Sequence, residues 1–62
     1  MGVLNMSKQK INETLRKFSD YMMEVQFSRN TLIEMCNVIG VEVSANAPKL
    51  ELIHKLRSAI NY

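Results

Sequence analysis

Residue types that stabilise small proteins by cross-linking are scarce in this sequence, which has one cysteine and one histidine among 62 residues. A lone cysteine excludes a disulfide within the chain. One cysteine with one histidine also falls short of the several Cys or His ligands that structural zinc sites use. A domain of this size buries only about 60% of its unfolded surface, so its stability needs a further source. The remaining sources of stability are regular helix packing and self-association.

Signatures of catalysis are missing as well. The six carboxylates show no spacing that sets up an acid–base pair, and there is no glycine-rich phosphate loop. Cys36 lies on the expected buried face of its helix, where a free cysteine behaves as a small hydrophobe. His54 is expected at the surface or boundary of the last helix. The sequence therefore predicts a protein that is not an enzyme, with no cofactor, metal or small-molecule substrate.

Long apolar runs are also absent. The first six residues begin with apolar side chains, but no basic segment and no apolar run of membrane length follow. We therefore expect no signal peptide and no membrane span, and the single thiol is compatible with a cytoplasmic protein. The formal charge of +2 is too small to demand a nucleic-acid partner, although it permits one if the cations cluster on one face.

Helix-forming residues dominate the first half of the chain. Residues 7–27 contain no glycine or proline, which predicts one long helix capped by Asn5 or Ser7. Its apolar residues are spaced alternately four and three apart, which is the spacing of a heptad seam. The seam consists of Ile11, Leu15, Phe18, Met22 and Val25. The pattern fits packing within the chain and pairing in a homodimer or trimer, and the sequence leaves both open.

Two shorter helices are indicated in the second half, residues 31–60. Thr31 followed by Glu34 forms a capping box, in which the side chain of each residue can accept a hydrogen bond from the backbone amide of the other. Gly40 can adopt the left-handed conformation that closes a helix. The valines that follow alternate with polar residues, which predicts an extended segment, and Pro48 marks the start of the last helix.

These patterns together predict an all-α fold in a single domain, residues 1–62. A long amphipathic helix at residues 7–27 precedes a unit of helix, extended segment and helix at residues 31–60. The expected architecture therefore has three helices.

The order of elements in residues 31–60 resembles the helix–extended-loop–helix (HeH) family. Relatives of this family include the SAP motif, the LEM domain and the small N-terminal domain of the Rho transcription terminator. The resemblance covers about half of the chain and follows a glycine–hydrophobic step with the order Lys-x-x-Leu-Ile. The matching residues are Thr31, Leu32, Ile39, Gly40, Val41, Lys49, Leu52, Ile53 and Leu56.

The resemblance implies a binding function, because HeH-type units are associated with DNA or RNA. It assigns phosphate contacts to Lys49, with Lys55 and Arg57 nearby, although the loop at residues 44–47 carries no cation. LEM relatives bind protein instead. Two hypotheses follow: a nucleic-acid-binding module, or a protein-interaction module of the phage regulator or chaperone type. The second would use the heptad seam to form oligomers and would bind a protein client.

Overall fold

Four α-helices account for most of residues 7–60, the part of the chain that the computed structural model describes. They are α1 (Lys8–Lys17), α2 (Asp20–Gln26), α3 (Arg29–Ile39) and α4 (Lys49–Ile60). No strand occurs within this range. The predicted all-α class is confirmed, whereas the number of helices differs from the three that we expected.

The difference lies in the first half, where the predicted helix at residues 7–27 is interrupted. Phe18 and Ser19 both have extended backbone conformations, and they separate α1 from α2. The Ser19 hydroxyl accepts a hydrogen bond from the Met22 amide at 3.2 Å and so opens a new helix. After this break Met23, which lies off the predicted seam, is fully buried. A local cap therefore overrides the continuous helical pattern.

Serine caps begin the first three helices. Ser7, Ser19 and Ser28 each accept the backbone amide of the residue three positions later, which satisfies one free donor of the opening turn. Ser7 was one of the two predicted caps of α1, and Asn5, the other, lies outside the described residues. The cap predicted at Thr31 is wrong. Helix α3 begins one turn earlier, and the Thr31 amide is the group that Ser28 caps.

A single apolar core joins the helices. Helices α3 and α4 pack closely on each other, α2 packs on α4, and α1 packs on α3. The buried apolar residues are Ile11, Leu15, Met23, Leu32, Met35, Cys36, Ala47, Leu52, Ile53 and Leu56. Every helix contributes at least one of them, so no helix lies apart from the core.

The connection between α3 and α4, residues 41–48, was predicted to be extended and contains neither helix nor strand. Gly40 has φ +94° and closes α3 in the left-handed conformation. Its amide bonds to the Asn37 carbonyl and the Val41 amide bonds to the Cys36 carbonyl, the pair of bonds that defines a Schellman cap. A turn at residues 44–47 then leads to Pro48, whose carbonyl accepts the first bond of α4.

Candidate functional site

Arg57, one of the three predicted nucleic-acid contacts, is bonded within the chain. Its Nε donates to Oδ1 of Asp20 at 2.6 Å, and its two terminal nitrogens donate to the carbonyls of Leu15 at 2.6 Å and Phe18 at 2.7 Å. Both carbonyls lie at the end of α1, where helical partners run out. Arg57 therefore fastens α4 to the junction between α1 and α2, and each of its three guanidinium nitrogens donates one of these bonds.

Lys49, the second predicted contact, is also bonded internally. Its Nζ donates to the Glu24 carbonyl in the last turn of α2 at 2.8 Å. Because Lys49 starts α4 and Arg57 lies near its end, the two bonds attach α2 antiparallel to α4 at both ends. These two cations position helices, which the sequence pattern did not indicate.

Arg29 has a comparable role that sequence reasoning missed. Its Nε donates to the Ala47 carbonyl at 2.7 Å, and a terminal nitrogen bonds to the Ala45 carbonyl. The connection between α3 and α4 is thereby held against the start of α3. The loop at residues 44–47 carries no cation of its own, and two of its carbonyls, those of Ala45 and Ala47, accept hydrogen bonds from this arginine outside it.

Lys55 differs from these three cations. It is exposed on α4, and within residues 7–60 its amine forms no hydrogen bond or ion pair. It borders an open hollow of about 660 Å³ that includes Glu51, His54, Ser58 and Ala59. Lys55 is therefore the one predicted contact that remains available to an external ligand.

Helix α1 carries the other available cations. Lys8, Lys10, Arg16 and Lys17 are exposed and form no hydrogen bond or ion pair with any described residue. With Glu13 the only acid of α1, the helix has a formal charge of +3, while residues 20–60 have four cations and five acids and sum to −1. The positive excess of the chain is thus confined to α1.

Two of the α1 cations lie where α1 meets the end of α4. Lys8 lines a hollow with Ala59 and Ile60, and Arg16 lines a second one with Arg57 and Ile60. Ala59 also lines the hollow beside Lys55. A surface that we call the α1–α4 edge therefore includes Lys8, Arg16 and Lys55, with the polar side chains of Gln9, Asn12 and Ser58 between them.

The five residues of the predicted oligomer interface do not form a continuous exposed stripe. Ile11 and Leu15 are buried in the core. Phe18 is half-buried and packs against Phe27, with their ring centroids 6.0 Å apart. Met22 and Val25 are 38% and 58% exposed. The break at Phe18 and Ser19 separates the buried half of the seam from its exposed half.

Exposed apolar side chains gather on the outer face of α2. Tyr21 is 72% exposed and lies beside Met22 and Val25, and Leu50 of α4 is 44% exposed. Leu50 follows Lys49, whose Nζ donates to the Glu24 carbonyl of α2. Three of the four large apolar side chains that are exposed among the described residues therefore belong to α2.

A small charged cluster connects α2 with α4. Nε2 of His54 lies 3.4 Å from Oδ2 of Asp20, whose other oxygen accepts from Arg57. The hydrogen bond from Arg57 is the main reason that the pKa of Asp20 is lowered. The cluster contains one carboxylate and lies beside the helix junction, so we interpret it as a structural contact.

Cys36 is the other residue that could have suggested chemistry. It is fully buried, and its Sγ donates weakly to the Leu52 carbonyl at 3.9 Å. Burial raises the pKa of the thiol, which disfavours the reactive thiolate. No group of His, Cys, Asp and Glu within residues 7–60 could hold a metal ion. In the same range, no helix is long and apolar enough to cross a membrane.

Comparison of the chain with protein families, with curated proteins and with solved structures found no match.

Proposed function

We propose that the chain is a small non-enzymatic module that binds the phosphate backbone of DNA or RNA through the α1–α4 edge. The main support is the distribution of charge. Three cations outside α1, namely Arg29, Lys49 and Arg57, are bonded to groups of the chain itself. The cations of α1 and Lys55 are not bonded within the described residues, so they can meet phosphates without breaking the fold.

Phosphate binding needs several cations on one surface, because each neutralised phosphate releases counterions. Lys8 and Arg16 are two turns apart on α1, and Lys55 lies across Ala59 from Lys8. The amide side chains of Gln9 and Asn12 add hydrogen-bond donors on the same surface. Glu51 borders the hollow beside Lys55 and limits the basic surface on that side.

The proposal changes the residues that the HeH resemblance implied. Lys55 keeps its assigned contact with phosphate, while Lys49 and Arg57 hold α4 in place and act indirectly. The HeH relationship itself stays a hypothesis. It is supported by the order of α3, a left-handed glycine, a connection without helix or strand, and α4.

Two double variants of α1 test the proposal with the same change in net charge. Lys8→Gln with Arg16→Gln removes cations from the α1–α4 edge, and Lys10→Gln with Lys17→Gln removes them from other faces of α1. Binding to a labelled single strand and to a duplex is measured by fluorescence anisotropy over a salt series. The edge variant should reduce the slope of log K against log salt by about 2, counting about 1 for each lost phosphate contact.

The control double variant should keep the slope of the unmodified protein. Equal losses in both variants would show that only net charge matters and would remove the α1–α4 edge from the mechanism. Absence of salt-dependent binding to any of the nucleic acids would refute the function.

A second candidate is a protein-interaction module that forms homodimers or trimers or binds a protein client. The exposed apolar face of α2, which includes Met22 and Val25 of the predicted seam, favours it. Light scattering from micromolar to millimolar protein measures self-association directly. Met22→Asp should abolish any oligomer without unfolding the chain, since Met22 is partly exposed, and a protein that is monomeric throughout would contradict the oligomeric form of this candidate.

A further inference from the structure

The junction between α1 and α2 has no residue that forbids a helix. Residues 8–26 contain neither glycine nor proline, and only Phe18 and Ser19 depart from helical conformation between Lys8 and Gln26. The apolar spacing of the seam also runs through the junction without a change of register. The same stretch is therefore compatible with one continuous helix.

Hydrogen bonds from elsewhere replace those that a continuous helix would form here. In such a helix the Leu15 carbonyl would accept from the Ser19 amide, and the Phe18 carbonyl would accept from the Met22 amide. Instead Arg57 donates to both carbonyls, and the Ser19 hydroxyl accepts from the Met22 amide. Two sets of partners can thus satisfy the same backbone groups.

We propose that Phe18 and Ser19 form a hinge, and that its straightening lets two copies of the chain exchange α1. In the exchanged dimer residues 8–26 are one helix of about 28 Å. Its first half packs Ile11 and Leu15 into the core of the second copy, in the same contacts that they make in their own chain here. This inference depends on the self-association candidate and is independent of nucleic-acid binding.

A second copy is the partner that fits, because it alone offers the site in which α1 already packs. Exchange of identical elements keeps native contacts and is a low-cost route to dimers, particularly where a hinge is short. Met23 stays in the core of its own chain. The two straightened helices would bring Phe18, Met22 and Val25 of each copy near the two-fold axis, which would cover apolar side chains that are half-buried or exposed in the single chain.

Substitutions of Ser19 should shift the balance between the single chain and the exchanged dimer. Ser19→Ala removes the cap of α2 and favours a helix interior, so it should raise the dimer association constant at least about tenfold. Ser19→Pro should have the opposite effect. Ser19 has φ −72° and Phe18 before it has an extended backbone, so proline at position 19 suits the single chain with its break between α1 and α2. It would break the continuous helix.

Ser28 provides matched controls. It caps α3 with φ −75°, and the preceding Phe27 is extended, as at the hinge. Ser28→Ala and Ser28→Pro therefore lose the same kind of cap without touching residues 8–26. Sedimentation velocity from 10 µM to 1 mM, with circular dichroism to verify folding, should show unchanged association in both.

The outcomes distinguish the hinge from self-association in general. Dimers of Ser19→Ala that disappear in Ser19→Pro, with both Ser28 variants unchanged, would support the exchange. Dimers that persist in Ser19→Pro would overturn the hinge and leave an interface elsewhere. If the unmodified protein and Ser19→Ala are both monomeric at 1 mM, the exchange and the oligomeric candidate both fail.

Discussion

Replacing Arg57 with methionine removes the guanidinium and keeps most of the apolar stem. The change deletes the bonds to the carbonyls of Leu15 and Phe18 and to the carboxylate of Asp20. We expect it to destabilise the fold and not only to weaken the surface, because these bonds join α4 to the junction of α1 and α2.

The size of the effect follows from the exposure of the partners. A hydrogen bond to a charged group contributes about 1.5–3 kcal/mol when buried, but the side chains of Arg57 and Asp20 are 31% and 42% exposed. The ion pair therefore contributes about 0–1 kcal/mol, as exposed pairs do. Adding about 1 kcal/mol for the two carbonyls, which water can partly reach after the change, gives about 1–2 kcal/mol. That is a large share of the roughly 3–9 kcal/mol expected for a chain of this length.

Urea unfolding at low micromolar protein, followed by circular dichroism, measures this loss. Lys55→Met is the matched control on the same helix, since Lys55 is exposed and has no internal bond among the described residues. It should change the unfolding free energy by less than about 0.5 kcal/mol. A similarly small change for Arg57→Met would refute the role assigned to Arg57 and would return it to the candidates for phosphate contact.

Two further predictions concern the turn after α3 and the acid stability of the fold. Gly40→Ala should lower the free energy of urea unfolding by about 1–2 kcal/mol. The loss should come entirely from the backbone, because φ is +94° and a Cβ would meet no atom within 4 Å. Gly40→Asn should lose less stability, and equal losses in the two variants would contradict a conformational origin. The pKa of Asp20 is lowered in the folded chain, so its ionised carboxylate stabilises the fold at pH values above the ordinary carboxyl pKa near 4. This contribution is lost as the pH falls through the lowered value, so the urea midpoint should drop more between pH 6 and pH 3 in the unmodified protein than in Asp20→Asn, and equal drops would contradict it.

The second half of the fold could be predicted because its signals are local. Gly40 ends α3 through its own left-handed conformation, and Pro48 directly precedes α4. The start of α3 was misplaced by one turn because Ser28 and Thr31 are both good caps three residues apart. In the folded chain the Ser28 hydroxyl accepts from the Thr31 amide, so the earlier of the two residues caps the helix.

The junction at Phe18 and Ser19 could not be predicted from the first half of the chain. Local propensity favours a continuous helix there, while Arg57, about 40 residues later, supplies partners for the carbonyls of the broken form. The interior position of Met23 in place of Met22 has the same origin, since the break rotates α2 relative to α1. A heptad pattern of this length is therefore compatible with two short helices that pack on a third.

The candidate site was harder to predict than the fold. Lys49, Lys55 and Arg57 look alike in sequence, but two of them bond to carbonyls of α1 and α2. Their different roles depend on which helix lies opposite, and that is a tertiary property. The formal charge of α1 can be counted from the sequence, whereas the lack of internal partners for its cations is visible only in the folded chain.

The uneven placement of charge also gives the folded chain a permanent electric dipole. Helix α1 holds a formal +3 and the remainder −1, so the molecule has a positive side although its net charge is small. In the field of a polyanion such a molecule is turned before contact, which raises the fraction of productive encounters. Approach in solution would therefore be governed by the orientation of α1 more than by the total charge of the protein.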